Sequence, residues 1–166
     1  MARKTIYNIS GLNYSYDSQR KGAKYRYYDT VLNEYKFGNA GDIAEIALSW
    51  ALGYGAHKDP NGRYDECSDI EETHTSVKSW YFTLAPIKAE TFEAIVDTYW
   101  MNVASTNFSF VWIEGQELIE YNMNADEFNQ FLYRFAKYKK SDRVVRGPRL
   151  SNKRRQEVEK WLEARA

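Results

Sequence analysis

The chain has little of what several common chemistries require. Its single cysteine, Cys67, excludes an internal disulfide and indicates a reducing compartment. It has only two histidines and no Cys-x-x-Cys pair, which argues against His-dependent hydrolases and zinc modules. No apolar stretch reaches membrane-spanning length, and the amino terminus lacks the apolar segment of a signal peptide. We therefore expect a cytoplasmic protein with no membrane partner.

The formal net charge is zero, but the charges are unevenly distributed. Residues 1–60 carry a net charge of +2, residues 61–135 carry −9, and residues 136–166 carry +7. An acidic middle predicts a cation site, and a basic tail predicts an anionic partner such as nucleic acid. Alternatively, the tail neutralises the acidic middle in the folded protein.

A chain of 166 residues, 43% of them hydrophobic, can bury one core and argues for one domain. Hydrophobic periodicity predicts four helices, which begin near residues 39, 88, 124 and 151. Strands are predicted at residues 5–9, 75–84, 107–113 and 117–123, and a loop at residues 11–22. We expect an α/β fold: a single domain (residues 1–138) whose central mixed sheet is flanked by helices, plus a basic C-terminal helical extension (residues 139–166).

Residues 64–84 combine a cluster of carboxylates with a strand that carries one lysine. Alternation places Ser76 and Lys78 on one face of this strand, together with large apolar side chains. An ammonium group in such surroundings must reach the edge, pair with a carboxylate or serve chemistry. Oxygen ligands for a hard cation beside a lysine are what metal-dependent phosphodiester cleavage uses. A surface hairpin with solvated charges would show the same residues.

The spacing of Asp69 and Ser76-Val77-Lys78 resembles the PD-(D/E)xK nucleases, the restriction-endonuclease-like superfamily. The motif of that family is an aspartate followed by (Glu or Asp)-x-Lys on a hairpin. Here a serine stands in place of the second carboxylate, and no proline precedes Asp69. One branch of type II restriction enzymes uses Ser-Val-Lys and takes the missing carboxylate from the following helix, where this chain has Glu90 and Glu93. Many members also carry a glutamate on the helix before the hairpin, and Glu45 matches it.

The resemblance implies a magnesium-dependent DNA endonuclease of a phage or mobile element. Asp69 and Glu45, with Glu90 or Glu72, would hold Mg²⁺, for which Mn²⁺ could substitute. Lys78 would orient the attacking water, and Ser76 would line the site. A homodimer is a possible assembly of such an enzyme.

Two basic segments are candidates for DNA contacts. Residues 20–28 interleave Lys21, Lys24 and Arg26 with aromatic rings, a mixture that can hold a phosphate backbone and stack bases. An edge strand protected by lysines would look the same. The C-terminal candidates are Arg143, Arg146, Arg149, Lys153, Arg154 and Arg155. The last three lie at the start of a predicted helix, where phosphate binds well, but a solvated tail or an acidic protein partner is an alternative.

Two functions without catalysis stay open. A nuclease-like fold could serve as a DNA-binding or protein-binding accessory or anti-defence protein with a host or phage partner. Ser76 in the place of the second carboxylate favours this alternative. A third possibility is an inhibitor whose acidic middle mimics nucleic acid and binds a basic partner.

Overall fold

The structure is a computed structural model that describes residues 2–58, 69–79, 91–139, 144–147 and 152–165. The elements in these ranges are, in order, β1 (Arg3–Asn8), β2 (Tyr14–Tyr16), β3 (Tyr25–Asp29), β4 (Glu34–Gly38), α1 (Ala40–Ala51), β5 (Thr75–Ser79), α2 (Phe92–Asn102), β6 (Asn107–Glu114), β7 (Glu117–Met123), α3 (Ala125–Phe135), β8 (Lys137–Lys139), β9 (Val144–Arg146) and α4 (Asn152–Glu163).

The central sheet has the strand order β1-β7-β6-β5. Strands β6 and β7 form an antiparallel hairpin, and β1 pairs with β7, also antiparallel. Strand β5 runs parallel to β6, with Thr75 opposite Asn107, and α2 lies in the connection that a parallel pair requires. The sheet is therefore mixed, and the predicted α/β fold is confirmed.

Helices cover both faces of this sheet. On one face, α1 packs against apolar side chains such as Val111 and Leu118. On the other face, α2, α3 and α4 pack around Phe108, Phe110 and Trp112. Because side chains alternate along a strand, Val77 faces α1 while Ser76 and Lys78 face the other side.

Helix α1 is buried along most of its length because its sequence is apolar almost all round. Asn39 begins the helix with a capping box, in which its side chain accepts the Asp42 N–H at 2.9 Å and its own N–H donates to the Asp42 carboxylate. Every residue from Ile43 to Ser49 is buried, including the carboxylate residue Glu45. This helix confirms the helix predicted to begin near residue 39.

Helices α3 and α4 complete the larger core. Phe128 of α3 stacks on Phe108, with ring centroids 4.6 Å apart. Val158 and Leu162 of α4 are fully buried in the same cluster. The C-terminal helix thus packs on the core of the central sheet, while the domain boundary expected at residue 139 stays a prediction.

A second sheet, β2-β3-β4, is antiparallel and lies beside α1. Tyr27 and Asp29 of β3 are buried on its inner side. The loop predicted at residues 11–22 is wrong in part, because Tyr14–Tyr16 forms a strand. Three residues are enough here since β3 supplies the pairing partners.

Candidate active site

The motif that begins at Asp69 forms a tight turn that leads into β5. Ile70 and Thr75 pair as antiparallel neighbours, each N–H donating to the other's carbonyl at 3.0 Å. A short 3₁₀ turn, residues 71–73, and a left-handed His74 (φ 51°) connect them. This pairing brings Asp69 beside Ser76, and the Asp69 carboxylate accepts the Val77 N–H at 2.8 Å.

Glu45 of α1, Asp69 of the turn and Lys78 of β5 lie near enough for their charges to interact. Burial and the negative charge of Asp69 raise the pKa of Glu45 to about 8, against the opposing charge of Lys58. Burial lowers the pKa of Lys78, while the charges of Asp69 and Glu45 oppose that shift. Glu45 is only 8% exposed, whereas Asp69 is exposed. Asp69 thus interacts through its charge with both Glu45, on the α1 face of the sheet, and Lys78, on the other face, and we call these interacting residues the cluster.

Lys58 also belongs to this cluster. Its Nζ lies 3.7 Å from Glu45 Oε2 and forms an ion pair with Asp42. Burial alone would lower the pKa of Lys58, but the hydrogen bond to Asp42 and the charge of Glu45 outweigh burial and raise the pKa. The sequence places Lys58 in a turn-rich loop with no signal that it returns to α1.

Tyr99 brings a phenol to the cluster from α2. Its hydroxyl is buried and, among the residues that the structure describes, makes no hydrogen bond of regular geometry, although the Ser76 hydroxyl lies nearby. Burial and the charge of Asp69 raise the pKa of Tyr99, while the nearby Ser76 hydroxyl opposes the shift. Ser76 itself is 5% exposed. In the sequence, Tyr99 lies in the apolar stripe of α2 and is indistinguishable from a core aromatic, so periodicity does not reveal this hydroxyl.

The remaining predicted acidic ligands are placed differently. Glu72 is exposed in the 3₁₀ turn, and Glu90 lies outside the described residues. Glu93 is exposed at the start of α2, where its charge acts on Tyr133 rather than on the cluster. The role of Glu93 as the downstream carboxylate stays a prediction.

The donors of the cluster suit a hard divalent cation. Glu45 and Asp69 offer carboxylate oxygens, and the Ser76 and Tyr99 hydroxyls lie beside them. Burial is the main cause of the raised Glu45 pKa and the Asp69 charge adds to it, so a bound cation would stabilise the ionised form of Glu45. Across the described ranges, no group of three His, Cys, Asp or Glu residues could hold a metal. Mg²⁺ needs only one or two carboxylates, since waters and substrate phosphates complete its coordination.

A second polar cluster fixes the loop that carries Lys58. Asp29 is fully buried, and its carboxylate accepts the N–H groups of Val31 and Leu32 at 2.9 and 2.8 Å. It also contacts His57 Nδ1 at 2.7 Å. Burial alone would raise the pKa of Asp29, but these hydrogen bonds and His57 lower it. His57 is therefore bound to Asp29, next to Lys58.

The predicted nucleic-acid contacts fall into two groups. In the second sheet, Arg26 lies over the Tyr35 ring at 3.8 Å, Lys24 Nζ donates to the Ser18 carbonyl at 3.4 Å, and Lys21 is exposed. These cations lie at the end of the sheet where β2 and β3 connect.

The C-terminal cations contact the protein itself. Arg154 pairs with Glu157 at 2.9 Å, and Arg155 pairs with Glu114. Arg146 is half-buried. The predicted contacts Arg143, Arg149 and the side chain of Lys153 lie outside the described residues. Glu114 belongs to the acidic middle, so the Arg155 pair favours the alternative in which the tail neutralises that segment, whereas the Arg154 pair lies within α4.

Compared with known proteins, the chain matches no family model, no curated protein and no solved structure. Of the helices that the structure describes, none combines the length and the apolar character needed to cross a membrane. A functional assignment therefore depends on the geometry of the cluster.

Proposed function

We propose that the protein is a Mg²⁺-dependent DNA endonuclease of the PD-(D/E)xK type. The observation that carries this proposal is the interaction of the charges of Glu45, Asp69 and Lys78, which come from three separate segments. Because 24 and 9 residues separate them in the sequence, the fold is what brings these charges near one another. We place the activity in the cytoplasm, where the lone Cys67 stays reduced.

Each residue of the cluster has a role in this proposal. Glu45 and Asp69 would hold Mg²⁺, with Mn²⁺ as a substitute. When bound, the metal supplies positive charge to the phosphate and lowers the pKa of a coordinated water. The Lys78 ammonium orients the attacking water and offsets charge that develops on the phosphate. Lys58 holds Asp42 and Glu45 in position through its ion pairs.

The Ser76 and Tyr99 hydroxyls supply uncharged hydrogen-bonding groups at the site. Ser76 lines the site from β5, in the position where the family has its second carboxylate. The Tyr99 hydroxyl, which makes no regular hydrogen bond to a described residue, can donate to a phosphate oxygen or to a water. Cutting both strands of a duplex would require a second copy of the chain or a second binding event.

The experiment is cleavage of supercoiled plasmid by the purified protein with Mg²⁺ or Mn²⁺. We expect Lys78→Ala and Asp69→Asn each to lower the rate at least about 100-fold, the size of a lost acid-base or electrostatic group. Lys137→Ala, which removes an exposed lysine next to α3, is the matched control and should cleave like the wild type. Equal cleavage by all four proteins would show that the activity does not come from this cluster.

A second candidate is a nuclease-like fold that binds DNA or a host or phage protein without cleaving. Ser76 in place of a carboxylate favours it, as does the lack of a third acidic ligand among the residues described. This candidate predicts no cleavage in either metal, together with salt-dependent DNA binding. Binding that is independent of salt would instead point to a protein partner.

A further inference from the structure

The second sheet exposes one face, which we call the outer face, formed by Ser15, Arg26, Tyr28, Tyr35 and Phe37. Cross-strand pairing places these side chains together, because Arg26 stands opposite Ser15 and Phe37, and Tyr28 stands opposite Tyr35. The other face carries the buried Tyr27 and Asp29 and packs toward α1. The outer face is therefore free of the core.

Two aromatic rings of the outer face, those of Tyr35 and Phe37, are partly exposed to solvent. Phe37 is 43% exposed and Tyr35 is 46% exposed. The Arg20 guanidinium lies over the Phe37 ring at 3.6 Å, and that of Arg26 lies over Tyr35 at 3.8 Å. A planar group stacked on a ring at this distance occupies the place that a nucleobase would take.

The cations around these rings have no carboxylate partner. Among the residues that the structure describes, Arg20, Lys21, Lys24 and Arg26 form no ion pair. Arg20 and Lys24 donate only to backbone carbonyls, of Ala23 at 3.1 Å and of Ser18 at 3.4 Å. Arg154 and Arg155 differ, because both pair with glutamates. The outer face thus combines stacking surface with unneutralised positive charge, which complements a phosphate chain.

The geometry favours unpaired bases over a duplex. Tyr35 and Phe37 are two residues apart on β4, so their side chains are separated by about 7 Å along the strand. That spacing is roughly twice the 3.4 Å rise of a stacked strand, and it suits bases that are unstacked. In a duplex the base faces are covered by their neighbours, and protein rings cannot reach them.

We propose that the outer face binds single-stranded DNA. Two successive bases stack on Tyr35 and Phe37, while Arg20 and Arg26 move from the rings to the phosphates. This inference rests on the proposed function for the identity of the ligand, which is DNA. Binding by the outer face does not require that the protein cleaves DNA. The sheet connects directly to the helix that carries Glu45, and the junction is tight, because a Cβ at Gly38 would lie 2.7 Å from Asp42 Cβ.

The test measures binding of a fluorescein-labelled oligothymidine by anisotropy, with every protein carrying Lys78→Ala so that no strand is cut. We expect Tyr35→Leu combined with Phe37→Leu to raise the Kd at least about tenfold, since base stacking on a ring contributes strongly. Binding of a duplex of mixed sequence should change less than twofold. Tyr133→Leu, which removes an exposed ring of α3, is the matched control and should leave the Kd unchanged.

Several outcomes would overturn the inference. One is an unchanged Kd for oligothymidine in the double variant, and another is an equal loss for duplex and single strand. Binding of no nucleic acid at all would leave the outer face to a protein partner. The variants are compared only after thermal unfolding shows that both remain folded, and Arg26→Gln gives an independent check through a smaller salt dependence. If the wild type cleaves no DNA but its binding of oligothymidine depends on Tyr35 and Phe37, the proposed endonuclease activity is wrong and this inference holds. If the wild type cleaves DNA but binding does not depend on these rings, the proposed activity holds and this inference is wrong.

Discussion

The Asp69 carboxylate accepts the backbone N–H of Val77 at 2.8 Å, which ties the start of the turn to the middle of the Ser-Val-Lys sequence. Because the donor is a backbone N–H of β5, the position of the Asp69 carboxylate does not depend on a flexible partner side chain. Since alternation turns Val77 toward α1, its neighbours Ser76 and Lys78 project to the other face of the sheet. The charge of Asp69 therefore acts on Lys78, although nine residues separate the two in the sequence.

We predict that Tyr99→Phe separates function from stability. Within the described part of the chain this hydroxyl is buried and makes no hydrogen bond of regular geometry, which costs the folded state about 1–3 kcal/mol, less if the nearby Ser76 hydroxyl satisfies it. Its removal should leave the free energy of unfolding unchanged or raise it by about 1 kcal/mol. If the hydroxyl donates to the substrate, the cleavage rate should fall about tenfold. Urea unfolding and single-turnover cleavage measure the two effects.

Tyr133→Phe is the control for this prediction, because Tyr133 is an exposed phenol on α3. It should alter neither quantity. A Tyr99→Phe protein that is less stable and cleaves normally would show that the hydroxyl serves packing and not the site.

Glu45→Gln should change how stability depends on pH. Burial and the charge of Asp69 raise the pKa of Glu45 from 4.5 to about 8 in the folded protein. As the pH rises, the unfolded chain therefore loses the Glu45 proton at a lower pH than the folded chain does. Stability of the wild type should therefore fall as the pH rises from about 4.5 to 8, and this decline should be absent in the variant. At pH 8 we expect the variant to be more stable, on the order of 2 kcal/mol, since one pKa unit corresponds to about 1.4 kcal/mol. Urea unfolding across this pH range is the measurement.

The same pair of proteins tests the metal site without an activity assay. Mg²⁺ should raise the Tm of the wild type at pH 8, because a ligand that binds the native state stabilises it. It should have little effect on Glu45→Gln or Asp69→Asn. A Tm that rises equally in all three proteins would place the metal elsewhere, and a Tm unaffected in all three would count against a site at this cluster.

The sequence predicts those parts of the fold that depend on local patterns. The capping box at Asn124 and Glu127, and the two strands joined around Gly115, give α3, β6 and β7 nearly to the residue. The parallel pairing of β5 with β6 depends on contacts across about thirty residues and has no local signal. The resemblance to the nuclease motif predicts Glu45 as a site residue on the helix before the hairpin. The sequence does not single out Tyr99 or Lys58, because only the fold brings them near Asp69.

Asp29→Asn should make the protein less sensitive to acid. Hydrogen bonds and His57 lower the pKa of Asp29 below its ordinary 3.8, despite burial, so the ionised carboxylate stabilises the folded state. This contribution is complete above the unfolded pKa and is lost as the pH falls through the lower folded value. We expect the variant to be about 1–2 kcal/mol less stable at pH 7, and the difference to shrink below pH 4. A difference that stays constant down to acidic pH would contradict the role of the charge.

Leu162→Ala tests whether α4 belongs to the main fold. Leu162 and Val158 are fully buried against the α3 aromatics, and Trp161 lies 6.0 Å from Phe131 and 5.5 Å from Phe135, measured between ring centroids. Removing a buried leucine leaves a cavity and should cost about 2–5 kcal/mol of unfolding free energy in a single transition. Met101→Ala, at an 83% exposed position on α2, should cost less than about 0.5 kcal/mol. A small loss at Leu162, or a separate transition for α4, would instead support an extension that begins at residue 139.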